Sequence, residues 1–314
     1  MPFPIFAGET AGLASTQRLG RYTASSQVLG AIRTGAAATG IGFDMLAAKA
    51  AMESGFRSDA QARTSSARGL FQFIDQTWLD MVQRRGAEHG LAEEAAVIIR
   101  GAGGRLTVAD PAERSRILAL RDNPEISTRM AGEYLREVSD NLTPVLGRRP
   151  DAAELYLGHF LGAAGAKQVL QGLAADSAQS AGAMLPDAAA ANPTMFRSAD
   201  GRPLSLSGFM EGVRSRLGRA YAEIGAAPPD GPVPFQLNEP QVAQGPQVTL
   251  PGVAGTSTPA RVTHAAEQAM VSTLAKVFSR MGRGGGARQA GSNPQALPPE
   301  VLAALRADAR AARS

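Results

Sequence analysis

The chain has 314 residues, 44% of them hydrophobic, with a formal net charge of +4 and no cysteine; this is enough to bury one large core or two small ones. The lack of cysteine excludes disulfides, thiolate chemistry and cysteine-held metals, and it suits an oxidising compartment. No run reaches the roughly 18 uninterrupted apolar residues of a membrane-spanning helix, and MPFPIFAGETAGLASTQRLG at the start lacks the basic start followed by a long apolar run of a Sec signal peptide.

Up to about residue 225, alanine, leucine and arginine dominate in stretches parted by glycine or proline, and no run of β-branched residues alternates with polar ones. That pattern predicts an all-α fold. Helices are expected at about 26–38, 43–54, 70–84, 91–100, 111–120, 124–141, 151–161, 164–174 and 206–223. Asp44, Asp110-Pro111, Asn123-Pro124 and Asp151 provide helix starts, and Gly55 and Gly162 provide stops. Residues 226–258 turn rich in proline and glycine and read as a linker. The chain thus divides into an N-terminal segment (1–40), a main helical domain (41–225), the linker (226–258) and a basic, partly helical or disordered tail (259–314).

The tail holds eight Arg or Lys against three acids, so the basicity of the chain belongs to it. Its one aromatic is Phe278. Nucleic-acid binding, which wants basic residues interleaved with aromatics on a folded surface, is not expected; weak attraction to an anionic polymer or membrane is the most the tail implies. Val262, Ala266, Met270, Leu274 and Val277 form a helical stripe, and RGGGARQAG follows as low complexity rather than a phosphate loop. His89, His159 and His264 lie far apart in sequence and none stands at ligand spacing from an acid, so neither a metal nor a nucleotide cofactor is expected.

One acid stands out. Ala50, Leu46 and Phe43 make an apolar stripe that places Glu53 on or beside a buried face, one or two residues from a helix end. Lys49 lies one turn back, and its stem is taken to carry the ammonium out to water. Desolvation and the unpaired carbonyls of the last turn then both oppose ionisation of Glu53, as a general acid for glycosidic cleavage requires. In GLFQFIDQTW, Leu70, Phe71, Ile74 and Trp78 pack inward while Gln72 points elsewhere, its amide able to donate to and accept from sugar hydroxyls. A lone histidine on an apolar helix face, such as His159, is more often a core residue than a catalyst.

The string E-S-G-F, then S-S-A-R-G-L-F-Q-F and T-W, resembles the catalytic core of the soluble lytic transglycosylase family of the lysozyme-like superfamily, in the wording common in phage and alphaproteobacterial members. Both family signatures, Glu-Ser and Gly-Leu-(Met or Phe)-Gln, are present at nearly the expected separation, and the resemblance covers about residues 40–175. A third, Ala-Tyr-Asn before a glycine-rich turn, is altered. With Gly-Ala-Ala-Gly-Ala as the turn, Phe160 replaces the tyrosine and Leu161 the asparagine; alternatively Tyr156, one helical turn earlier, supplies the hydroxyl that holds the acid.

The resemblance implies a lysozyme-like helical catalytic domain at 41–225 with a flexible C-terminal extension. Its activity would be cleavage of the β-1,4 bond between N-acetylmuramic acid and N-acetylglucosamine in peptidoglycan, without water. Glu53 would protonate the leaving oxygen and then, as carboxylate, draw the proton from the C6 hydroxyl to close a 1,6-anhydro ring. Ser66, Phe71, Gln72, Tyr156, His159 and Phe160 would bind the glycan, with no cofactor. The rivals are a hydrolytic muramidase, with Asp59 or Asp75 as second carboxylate, and a non-catalytic glycan-binding component of a phage tail or secretion apparatus. The substrate implies the periplasm or cell envelope by an unnamed export route, with the tail expected to meet a secretion, flagellar or phage apparatus partner.

Overall fold

The computed structural model describes residues 15–63, 65–233 and 235. They form an all-α fold carrying two small antiparallel hairpins. In chain order the elements are β1 (Thr16–Leu19), β2 (Tyr22–Ser25), α1 (Ser26–Thr39), α2 (Phe43–Ser54), α3 (Asp75–Arg85), α4 (Ala92–Val97), β3 (Ile98–Arg100), β4 (Leu106–Val108), α5 (Pro111–Ala119), α6 (Pro124–Leu146), α7 (Ala152–Ala175), α8 (Ala181–Met184), α9 (Pro186–Ala191), α10 (Pro193–Phe196) and α11 (Leu206–Glu223). β1 pairs with β2 from Thr16 opposite Ser25 to Leu19 opposite Tyr22.

Local chemistry sets the helix starts. Ser25 accepts from Val28 N before α1, Asp110 from Ala112 N before α5, and Asn123 from Glu125 N and Ile126 N before α6. Asp151 and Glu154 form a reciprocal capping box at the start of α7. Each such cap satisfies donors that the helix cannot, and is worth about 1 kcal/mol.

α6 is the central helix: α1 and α7 pack on it, α11 packs on α7, and α11 returns to α2. The α1–α6 contact is close because glycines face threonines across it. A Cβ on Gly132 would lie 2.2 Å from Thr39 Oγ1, and one on Gly35 would lie 2.4 Å from Thr128 Cγ2. Around this pair Leu46, Trp78, Leu79, Val82, Met130, Leu135, Leu155, Phe160 and Phe209 are fully buried, each large side chain contributing roughly 1.5–3 kcal/mol. Trp78 also donates from Nε1 to the Ile117 carbonyl at 2.8 Å, so its burial leaves no orphan donor. Val28, Leu29 and Ile32 of α1 are buried as well, so the packed body includes a helix that precedes residue 41.

Some elements depart from the sequence pattern for identifiable reasons. The helix expected over 91–100 stops at Val97, and the β-branched Ile98 and Ile99 continue as β3. The one expected from 70 begins at Asp75, because the preceding residues form turns. α6 runs on to Leu146 past Pro144, which lies inside its last turn. α7 spans both helices expected there, with a break at Gly162 (φ 73, ψ 168) where the sequence placed a stop. α8, α9 and α10 are too short to show an apolar period.

At the other end Pro232 bridges to Asp151, and Val233, 2% exposed, donates to the Pro150 carbonyl at 3.0 Å. The beginning of the proline-rich stretch therefore lies on the start of α7. Residues 236–314, with most of the expected linker and all of the expected tail, lie outside the described residues. Among the described residues no helix is long and apolar enough to cross a membrane.

Candidate active site

α2 ends at Ser54 because Gly55 adopts φ 61 and returns its N–H to the Ala50 and Ala51 carbonyls. Glu53 is therefore the penultimate helical residue, and it is 6% exposed. Its Oε1 lies 3.1 Å from His159 Nε2 of α7, while Lys49 Nζ, one turn back, stands 3.6 Å from the same oxygen. Oε2 is buried and has no hydrogen-bond partner among the described residues. Lys49 Nζ lies 2.6 Å from His159 Nε2 and 3.3 Å from Nδ1. Being near both ring nitrogens, it sits beside the imidazole face and leaves the in-plane axis of Nε2 to Glu53.

The ammonium does not reach water as the sequence led us to expect: Lys49 is 3% exposed. α1, α6 and α11 enclose α2, so its stem has no surface along which to extend. Nζ instead stands 5.9 Å from the centre of the Phe71 ring. Burial pushes Lys49 down to about 8, against the charge and hydrogen bond of Glu53, which pull it up. Burial and then the Lys49 charge push His159 down to about 4, with Glu53 opposing. Near neutrality the ring is neutral.

The His159 shift has a consequence for stability. In the unfolded chain the ring binds its proton near the ordinary histidine value of 6.5, and in the folded protein only at about 4. Between these values the unfolded state holds more protons, so stability falls as pH drops, by at most about 3 kcal/mol in total. Urea unfolding followed from neutral pH down to the lower value is expected to show this loss, and a His159→Asn variant a shallower one.

The remaining residues divide into those beside the acid and those that hold the loop. Tyr134 approaches the His159 ring edge-on at 5.8 Å, and Tyr156 stands 6.2 Å from it. Burial, then the charge of Glu53, raises the Tyr156 hydroxyl well above its usual range. Of the two residues considered for the tyrosine position, both fully buried, Tyr156 is the one whose ring stands near His159, whereas the Phe160 ring lies 6.5 Å from Phe209.

Gln72 is not in a helix. It occupies a turn at φ 51, and its Nε2 donates to the Ala60 carbonyl at 3.0 Å and the Gly69 carbonyl at 2.9 Å. Both amide hydrogens are spent on backbone, which leaves only Oε1 to meet a ligand. A Gln72→Leu substitution is expected to cost about 1–3 kcal/mol through the two deserted carbonyls, measurable by urea unfolding. Ser66 Oγ accepts from Asp75 N at 3.2 Å at the start of α3. With Arg68, Asp75 and Arg121 it lines a cavity of about 350 Å³ that Glu53 does not line.

Lys49 and Tyr134 belong to the site although the sequence did not assign them to it. The four-residue step from Lys49 to Glu53 was visible; nothing in the sequence marked Tyr134. The histidines also meet acids despite their distance along the chain. Besides the His159–Glu53 contact, His89 Nε2 stands 3.1 Å from Glu133 Oε1, and donor atoms of Glu88, His89 and Glu133 lie within 4.8 Å of one another. Arg85 already pairs with Glu88 and Arg136 with Glu133, each at 3.2 Å, so this group is balanced by guanidinium charge. His264 lies outside the described residues. A scan of the chain against protein-family models matches none.

Proposed function

We propose that the protein is a peptidoglycan lytic transglycosylase in which Glu53 acts as general acid and then as general base. The observation that carries this reading is a carboxyl at the end of α2 that is 6% exposed, stands beside His159 through Oε1, and has a buried Oε2 without a hydrogen-bond partner among the described residues. One carboxyl can serve both steps because its proton leaves for the glycosidic oxygen and is replaced by that of the C6 hydroxyl. Tyr156 and Phe71 border the site, and Gln72 and Gly69 shape the loop that follows it. The signatures Glu-Ser and Gly-Leu-Phe-Gln support the same family and substrate. The cell envelope is then the working compartment, and the tail is the segment suited to delivery or anchoring.

A hydrolytic muramidase needs a second carboxylate near the sugar. Asp75 is committed to Arg121 at 2.9 Å and Arg114 at 3.0 Å, and Asp59 is exposed on the loop. Neither favours that route. The non-catalytic reading does have an observation behind it, since the buried contact of Glu53 with His159 ties α2 to α7 and would serve the fold without any turnover. Mass spectrometry of purified peptidoglycan after digestion separates the three. Products with anhydro ends support the proposal, reducing ends select the muramidase, and intact wall selects the binder.

A further inference from the structure

We propose that Lys49 stores the proton that Glu53 delivers, with His159 holding the carboxyl beside it. The inference rests on the role given to Glu53 above and adds the source of its proton. Nζ, Nε2 and Oε1 form one cluster, with separations of 2.6 Å from Nζ to Nε2, 3.1 Å from Nε2 to Oε1 and 3.6 Å from Nζ to Oε1. All three side chains are at most 6% exposed, so a proton moving within the cluster need not pass through bulk water.

The surroundings leave Glu53 as the anion that Lys49 meets. α7 presents His159 and Tyr156, α6 presents Tyr134, and Phe71 covers Nζ from the loop. From α11, Arg216 interacts with Tyr156, and from α1, Arg33 lies over Phe43 at the opposite end of α2. An ammonium–carboxylate pair and an amine–carboxyl pair contain the same number of protons. Water favours the first; removing water erodes that preference, because two buried charges lose more solvation than two neutral groups.

A glycan seated over Oε2 completes the drying. The N–H bond on Nζ breaks and an O–H bond forms on Oε1, leaving a neutral amine and a neutral acid, and rotation of the carboxyl group turns that O–H toward the glycan. Glu53 then passes the proton to the glycosidic oxygen as the bond from that oxygen to the anomeric carbon breaks. The carboxylate takes the C6 hydroxyl proton as O6 bonds to the anomeric carbon, and return of that proton to Nζ restores the ion pair. No external acid, base or oxidant is consumed. Burial already brings Lys49 down to about 8, a range in which an amine gives up its proton readily near neutral pH.

Two measurements on the full chain test this. Lysine side-chain nitrogen NMR should show Lys49 titrating well below ordinary lysines, and lower still, by about one pH unit or more, in Glu53→Gln, where the anion is gone. A titration unchanged by that substitution overturns the shared proton. In the pH profile of anhydro-product release, Lys49→Met should move the alkaline limb down by about one unit or more. Lys49→Arg should be slower than Lys49→Met, by about tenfold, because a guanidinium keeps its proton and pins Glu53 as carboxylate. An unmoved limb in folded Lys49→Met, or a parental profile in Lys49→Arg, overturns the proposal. If the parent protein releases no product at any pH, the wall-cutting reading falls instead, whereas a lysine titration that Glu53→Gln leaves unchanged overturns the proton store by itself.

Discussion

In Glu53→Gln, release of anhydro-muropeptides from purified peptidoglycan is expected to fall by at least about 10²–10⁴-fold, the usual worth of a positioned acid–base group. Glutamine preserves the shape of the side chain and can still keep the contact with His159 Nε2, but it cannot supply a proton. The substitution also strips Lys49 of its anion at 3.6 Å, and deserting one partner of a buried pair typically costs about 3–5 kcal/mol. Loss of activity could therefore be mistaken for loss of fold. The double variant Lys49→Met, Glu53→Gln separates the two, since it removes both charges. It is expected to regain most of the stability in urea unfolding while remaining inactive. Recovery of activity together with stability would show that Glu53 matters only as a partner for Lys49.

The helical body was legible because its signals are local. Asp110-Pro111, Asn123-Pro124 and Asp151 mark helix starts through bonds that span two or three residues, and Gly55 and Gly162 mark interruptions by their backbone freedom. The position of Glu53 on a buried face followed from the spacing of Phe43, Leu46 and Ala50. What the sequence could not show is which elements enclose that face. Whether the Lys49 stem has a route to solvent depends on α1, α6 and α11 all covering α2, and none of these contacts is encoded near residue 49. His159 reads as an ordinary core position until α7 is laid against α2. Gln72 misled for a related reason: GLFQF has the apolar content of a helix start, but Gly69 and the Gln72 amide close it into a turn. The short hairpins carry too few residues for periodicity to register.

Gly69→Ala is expected to destabilise the protein more than any surface change, by about 3 kcal/mol or more, as two independent costs meet at one atom. Gly69 lies at φ 83, where an L side chain is strained, and a Cβ there would stand 2.0 Å from the Arg121 carbonyl oxygen. That oxygen is backbone, so no side-chain rotation relieves the overlap. Arg121 cannot easily retreat, because its guanidinium is tied to the Ser66 carbonyl at 2.7 Å and the Phe73 carbonyl at 3.0 Å. Gly69 N also donates to the Ala60 carbonyl at 2.8 Å, and the Gly69 carbonyl receives the Gln72 amide. The strain would thus spread through the loop joining α2 to α3. Thermal unfolding should drop by roughly 6–12 °C for a body of this size, and activity on peptidoglycan should fall with it if this loop shapes the glycan site. A melting temperature within about 2 °C of the parent would mean that Arg121 and its strand of contacts move freely, and that the glycine of the Gly-Leu-Phe-Gln signature is not kept by this close approach.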